Sequence, residues 1–106
     1  MTMTIVLYSN DPETVWNAFR FGNFAMTHGD DVTFFLIGKG VECRSLDLGP
    51  FTVTQMIADF IEAGGKVLAC STCLELRGMG CPSGFAAATL KELHELVAQA
   101  DRVCSF

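Results

Sequence analysis

Two cysteines carry the strongest chemical signal in this chain. Cys70 and Cys73 form a C-x-x-C motif directly after an apolar run with the composition of a strand. A thiol between a strand and a helical turn meets backbone N–H groups and the positive end of the helix dipole, and both favour the thiolate. We therefore expect Cys70 to be a nucleophile that needs no histidine. The same donors, with Ser71 beside them and Arg77 two turns along, would hold an anionic sulfur adduct such as a persulfide.

The C-x-x-C motif has two other interpretations. One is a redox dithiol of the thioredoxin type, in which Cys73 would resolve a bond made by Cys70. Such motifs usually place Gly or Pro between the cysteines, whereas Ser71 and Thr72 stand here. The other is a structural pair, because small free thiols are often buried.

Metal binding would require more cysteines than the motif supplies. Cys43 and Cys81 would complete a set of four thiols, but the set lacks a second C-x-x-C pair of the kind that zinc and iron–sulfur sites use. We predict neither a metal nor another cofactor. Cys104 lies within a predicted strand and is assigned to the core.

The positions of the histidines disfavour a cysteine hydrolase, which needs an imidazole beside the thiol. His28 precedes the second predicted strand, at the opposite end of the sheet from Cys70, and His94 lies well inside the last predicted helix. Neither histidine is expected to reach Cys70.

Composition narrows the class of protein. The chain has 106 residues, half of them hydrophobic, which predicts a single domain over 1–106. A net charge of −5 with only seven Lys and Arg argues against direct binding of nucleic acid. No apolar run is long enough to span a membrane, and no export signal is visible. Five cysteines, an odd number, indicate reduced thiols and a cytoplasmic protein.

Strand and helix signals alternate along the chain. Asp11 followed by Pro12 predicts the start of a first helix, Thr52 with Gln55 a capping box for a second, and Ser83 a cap for the last. The predicted strands are Thr4–Tyr8, Val32–Ile37, Lys66–Ala69 and Val103–Phe106. Such alternation predicts an α/β protein with a parallel sheet of four to five strands, covered on both faces.

This architecture indicates which polar residues could form a binding site, because ligands of open parallel sheets bind beyond the carboxyl ends of the strands. Asn10 follows the first strand, and Lys39 and Gly40 follow the second in a Gly-Lys-Gly turn that could approach an anion. We predict that these residues and Ser71 are binding positions. Glu42 belongs to the same edge, without an assigned role.

The first helix is apolar on more than one face. Trp16, Phe21 and Phe24 fall outside its core-facing stripe, whereas a surface helix needs only one apolar face. These aromatic residues either complete the core or form the interface of a homo-oligomer.

The segment Val67–Gly78 resembles the active-cysteine segment of the DsrE/DsrF-like family, in which an apolar strand ends in Cys and an Arg-Gly pair closes a short helix. Cys70 followed by Arg77-Gly78 has that spacing, and Ala100–Phe106 is similar to the closing strand of the family. The resemblance extends over nearly the whole chain.

The resemblance implies a small three-layer α/β/α sandwich that assembles into trimers or hexamers. It also implies sulfur transfer, in which Cys70 accepts sulfane sulfur as a persulfide from a donor protein and relays it to an acceptor protein. Relatives of this kind serve sulfur oxidation or reduction, or tRNA thiolation. Cys73 and Cys81 lie outside the minimal family pattern, so a redox dithiol and a non-catalytic binding module stay open as alternatives.

Overall fold

A computed structural model describes all 106 residues and contains one parallel sheet with the strand order β4-β3-β2-β1-β5. The predicted α/β class is therefore confirmed, and the sheet has five strands. The elements in chain order are β1 (Thr2–Leu7), α1 (Pro12–Thr27), β2 (Asp31–Leu36), a 3₁₀ helix (Gly38–Ser45), α2 (Val53–Glu62), β3 (Lys66–Cys70), α3 (Ser71–Leu76), β4 (Ala86–Ala88), α4 (Leu90–Gln99) and β5 (Arg102–Ser105).

The start of α1 is the one that the sequence predicts. The Asp11 carboxylate accepts the Thr14 N–H at 2.9 Å, and Pro12 occupies the first turn, where its missing N–H costs nothing. Hydrogen bonds from the Thr14 N–H and hydroxyl lower the pKa of Asp11. This cap fixes where the chain turns after β1, and thereby where Asn10 lies.

The main core lies between α1, α2 and one face of the sheet. Phe19 of α1 stacks on Phe34 of β2 with ring centroids 4.0 Å apart, and Phe60 of α2 meets Phe34 edge-on at 5.0 Å. All three are fully buried. Helix α1 approaches closely at Gly22, where a Cβ would lie 2.8 Å from the Phe34 ring. This face of the sheet is firmly covered.

The opposite face has a thinner cover. Phe35, Cys70 and Ala88 form a small buried cluster there, against which Leu93 and Leu96 of α4 pack. No residue of α4 is itself buried. The helix is therefore attached through the edges of its side chains, and it lies against β1 and β4.

The prediction for the last helix was wrong at its start. Ser83 does not cap it, and Ala86 lies in β4, whose residues pair with β3. Helix α4 begins after Thr89, where the Glu92 carboxylate accepts the Thr89 N–H at 2.7 Å. The alanines favour a helix locally, but the exposed edge of β3 offers hydrogen bonds that override this preference.

Two smaller predictions also need correction. Thr52 precedes α2 but makes no side-chain cap, because Asp47 accepts the Thr54 N–H instead, at 2.8 Å. Cys104 is only half-buried, since β5 is an edge strand with thin cover.

None of the helices has the length and hydropathy that a membrane span requires.

Candidate active site around Cys70

Cys70 is the last residue of β3 and the residue from which α3 begins. Its side chain is only 5% exposed and lies against Phe35 and Ala88, beneath α4. The strand presents the thiol at the carboxyl edge of the sheet, as the sequence predicts. The thiol is covered, however, rather than open to solvent.

Burial raises the pKa of the Cys70 thiol, and the neighbouring Cys73 side chain raises it further. The N–H groups of Cys73 and Thr72 act in the opposite direction without reversing the effect. The sequence predicted that these donors would favour the thiolate. The apolar cluster outweighs them, so the resting group is the neutral thiol.

Cys73 lies one turn along α3 and is more accessible than Cys70. Its Sγ accepts the N–H of Gly38 at 3.1 Å, which links α3 to the turn after β2. Gly38 has a φ of +56°, a conformation that glycine adopts without strain. The turn thus directs a backbone donor at the second sulfur of the motif.

Arg77 is held by two acceptors. Its Nε donates to Glu42 Oε2 at 2.7 Å, and its Nη1 donates to the Cys73 carbonyl at 3.1 Å. The other oxygen of Glu42 accepts the Asn10 side-chain amide at 3.2 Å. These hydrogen bonds, that of Arg77 above all, lower the pKa of Glu42. Arg77 therefore shares its charge with Glu42 and fixes the backbone of the motif.

Glu42 is the residue that sequence reasoning left without a role. It joins Asn10 after β1 to Arg77 after α3, so three separate segments converge on one carboxylate. The available signal was its position beyond β2, on the edge where Arg77 was already expected. Glu42 was therefore a possible ion-pair partner for Arg77.

The other predicted binding residues differ in their surroundings. Lys39 is exposed, and its charge contributes to the lowered pKa of Glu42. The Gly40 N–H donates to the Ile37 carbonyl at 3.0 Å and is not free for an anion. The Ser71 hydroxyl makes no hydrogen bond within the chain, and Ser71 is half-buried at the start of α3.

The remaining cysteines and the histidines lie apart from this site. His28 ends α1 at the amino edge of the sheet, and His94 is exposed on α4. All five cysteines are free, Cys43 is fully buried and Cys81 is exposed. No three His, Cys, Asp or Glu side chains are close enough to share a metal ion. The surface grooves also lie elsewhere, and none is lined by Cys70.

Comparison with known proteins identifies the family of this chain. The sequence profile of the DsrE/DsrF-like family matches residues 1–106. The chain belongs to the DsrE/DsrF-like family. A relative from Methanopyrus kandleri, the uncharacterized protein MK0008, is 31% identical over 88 residues, which is 80% of this chain and 73% of the relative.

Solved structures show the same DsrE/DsrF-like fold. The YchN protein of E. coli superimposes with a TM-score of 0.84 at 24% identity, over 100% of both chains. BT1422 of Bacteroides thetaiotaomicron, a conserved protein of unknown function, gives 0.80 at 19% identity, over 99% of this chain and 94% of its own. At these identities the likeness concerns the fold alone.

Proposed function

We propose that this DsrE/DsrF-like protein carries sulfane sulfur as a persulfide on Cys70 and relays it from a donor protein to an acceptor protein. The observation that carries the proposal is the position of Cys70 at the carboxyl end of β3, with the Thr72 and Cys73 N–H groups nearby, in a chain of this family. Such donors suit a sulfur that bears negative charge.

The loading step is a redox-neutral transfer. The Cys70 thiol first loses its proton to solvent, and the thiolate then attacks the outer sulfur of a donor persulfide R–S–SH; the S–S bond of the donor breaks, and R–SH leaves with the proton of the donor. Cys70 then carries the extra sulfur as R′–S–S⁻. Delivery is the same reaction in reverse sense, with a thiol of the acceptor as nucleophile. No metal or organic cofactor takes part in either step.

Cover by α4 suits a carrier, because a persulfide exposed to solvent reacts with any passing thiol. Leu93 and Leu96 shield the cluster that contains Cys70. Since α4 buries none of its own residues, its local opening requires little free energy. A docking partner that displaces α4 would gain access to the sulfur only where it is to be handed on.

The proposal predicts where added sulfur goes. Immediately after treatment with glutathione persulfide and desalting, reduced protein should carry one added sulfur atom on the tryptic peptide 67–77, which holds Cys70 and Cys73 and no other cysteine. Intact mass and peptide mapping measure the gain. Cys70→Ser should abolish it, because the acceptor atom is gone.

Cys81→Ser is the matched control, since its thiol is exposed and lies outside the motif. This variant should load peptide 67–77 like the wild type. Unchanged loading of that peptide in Cys70→Ser, or no loading of any variant together with resistance of Cys70 to alkylation, would contradict the carrier. The latter result would favour a non-catalytic binding module.

Self-assembly is part of the same proposal. Phe21 and Phe24 of α1 are 40% and 61% exposed, and with Phe106 they line a groove of about 410 Å³. Trp16, by contrast, packs edge-on against Phe51 at 5.7 Å. Exposed aromatic groups clustered in this way are typical of interfaces. We propose a homo-oligomer, a trimer or hexamer, that covers this groove with a second copy of the chain.

Phe24→Glu is expected to dissociate the oligomer, because it places a charge in that interface. The average molar mass of the protein in solution should therefore fall. Multi-angle light scattering at matched protein concentration measures the change, and Ala58→Glu on the exposed side of α2 serves as the control. A monomeric wild type would refute assembly. Val97 of α4 is 45% exposed. If Val97→Glu dissociates the oligomer and Phe24→Glu does not, the interface is formed by α4 and not by the groove on α1.

A cytoplasmic location is part of the same proposal. Five free cysteines are compatible with a reducing cytoplasm, where persulfide carriers find reduced partners.

A further inference from the structure

We propose that Cys73 resolves the Cys70 persulfide, so that the chain also reduces sulfane sulfur and releases it as hydrosulfide. This inference rests on the proposed persulfide of Cys70 and assigns a second outcome to it. The sulfur is either handed to an acceptor or expelled when Cys73 closes a disulfide with Cys70. The outcome depends on whether the persulfide is attacked by a thiol of the acceptor protein or by Cys73 of the same chain.

The spacing of the motif permits this bond. Cys70 is the cap of α3, and Cys73 is the third residue after it, on the same helical turn. Helical geometry sets Cα atoms three residues apart at about 5 Å, inside the range that disulfides span. Cys73 also packs against the cluster of Phe35, Cys70 and Ala88, so the two thiols lie close together.

A separate contact directs the second thiol. Cys73 Sγ receives the Gly38 N–H at 3.1 Å, the kind of donor that a thiolate accepts. Its backbone carbonyl is held by Arg77 at 3.1 Å, and Glu42 holds Arg77 in turn. Cys73 is thus fixed at its carbonyl and at its sulfur, whereas a merely space-filling cysteine would need neither contact.

Exposure divides the roles of the two cysteines. Cys70 is buried in the cluster against which Leu93 and Leu96 of α4 pack, whereas Cys73 is partly open to solvent. The inner sulfur of a persulfide on Cys70 would be adjacent to Cys73. Attack from Cys73 therefore requires no opening of α4, unlike attack by a partner.

The reaction balances within the chain. Cys73 attacks Cys70 Sγ and gives up its thiol proton, the bond between Sγ and the outer sulfur breaks, and the outer sulfur of the persulfide anion takes that proton and leaves as HS⁻. One S–S bond forms and one breaks. The two thiols lose two electrons in total, and the sulfane sulfur gains them. A dithiol reductant must then reopen the disulfide before another cycle.

Time-resolved analysis after loading tests this reaction. Reduced protein is loaded with glutathione persulfide, desalted without oxygen, and sampled for free sulfide and for the mass of peptide 67–77. In the wild type we expect one sulfide per loaded chain, while the peptide loses its extra sulfur and two hydrogens. Cys73→Ser should keep the extra sulfur and release no sulfide, and Cys73→Ala should behave alike.

Cys81→Ser should match the wild type in both readouts, because its thiol takes no part. Retention of the extra sulfur by the wild type, without sulfide release, would overturn the inference and leave the carrier intact. Equal sulfide release from Cys73→Ser would also overturn it. Absence of added sulfur on Cys73→Ser, with the fold verified by circular dichroism, would instead refute the proposed function.

Discussion

Gly40→Ala is expected to destabilise the fold by more than about 3 kcal/mol, because the added methyl group has no space. A Cβ at this position would lie 2.1 Å from the Leu7 carbonyl oxygen and 2.8 Å from its carbon. Leu7 belongs to β1, which is held between β2 and β5. The backbone of an interior strand cannot move aside as a flexible side chain would.

The measurement is urea unfolding with all variants at one protein concentration, because the apparent stability of an assembling protein depends on its concentration. Gly80→Ala is the matched control, since nothing lies within 4 Å of its Cβ and its φ is not positive. The control should change stability by less than about 0.5 kcal/mol. Similar losses for both variants would show that the close approach at Gly40 has no energetic weight.

Alkaline pH is expected to destabilise the protein through Cys43. Burial raises the pKa of this thiol from 9.0 to about 12. Below pH 9 the thiol is neutral in both states and has no effect. Above pH 9 the unfolded chain loses the proton while the folded one retains it, so stability falls by about 1.4 kcal/mol per pH unit. The loss ends near the folded pKa.

Urea unfolding of wild type and Cys43→Ala between about pH 8 and pH 10.5 isolates this effect. The alanine variant starts less stable because of the cavity it leaves, but the gap should shrink by about 2 kcal/mol over that range. Cys81→Ala replaces an exposed thiol and should run parallel to the wild type. A constant gap between wild type and Cys43→Ala would contradict the prediction.

The parts of the site with local causes could be predicted from sequence. The placement of Cys70 follows from an apolar strand that ends at a helical turn, and Asp11 with Pro12 specifies the start of α1 through short-range hydrogen bonds. Both depend on neighbours within a few residues. The strand signal in β1, β2 and β3 is likewise local, because each is a short apolar run.

Features that depend on contacts between residues far apart in the sequence could not be predicted. Ala86–Ala88 becomes a strand only because β3 offers a free edge. The hydrogen bonds that join Asn10, Glu42 and Arg77 connect three segments far apart in sequence. The raised pKa of Cys70 depends on burial under α4, which no spacing between cysteines reveals. Each requires the tertiary arrangement first.

The weak attachment of α4 has a kinetic consequence for the thiol beneath it. A bulky reagent reaches Cys70 only in molecules whose α4 has lifted, so the observed rate is the intrinsic rate multiplied by the fraction lifted. Amide hydrogens of α4 exchange from the same lifted state. The alkylation rate of Cys70 and the rate of deuterium uptake by α4 should therefore change in proportion. The alkylation rate then reports how often α4 opens.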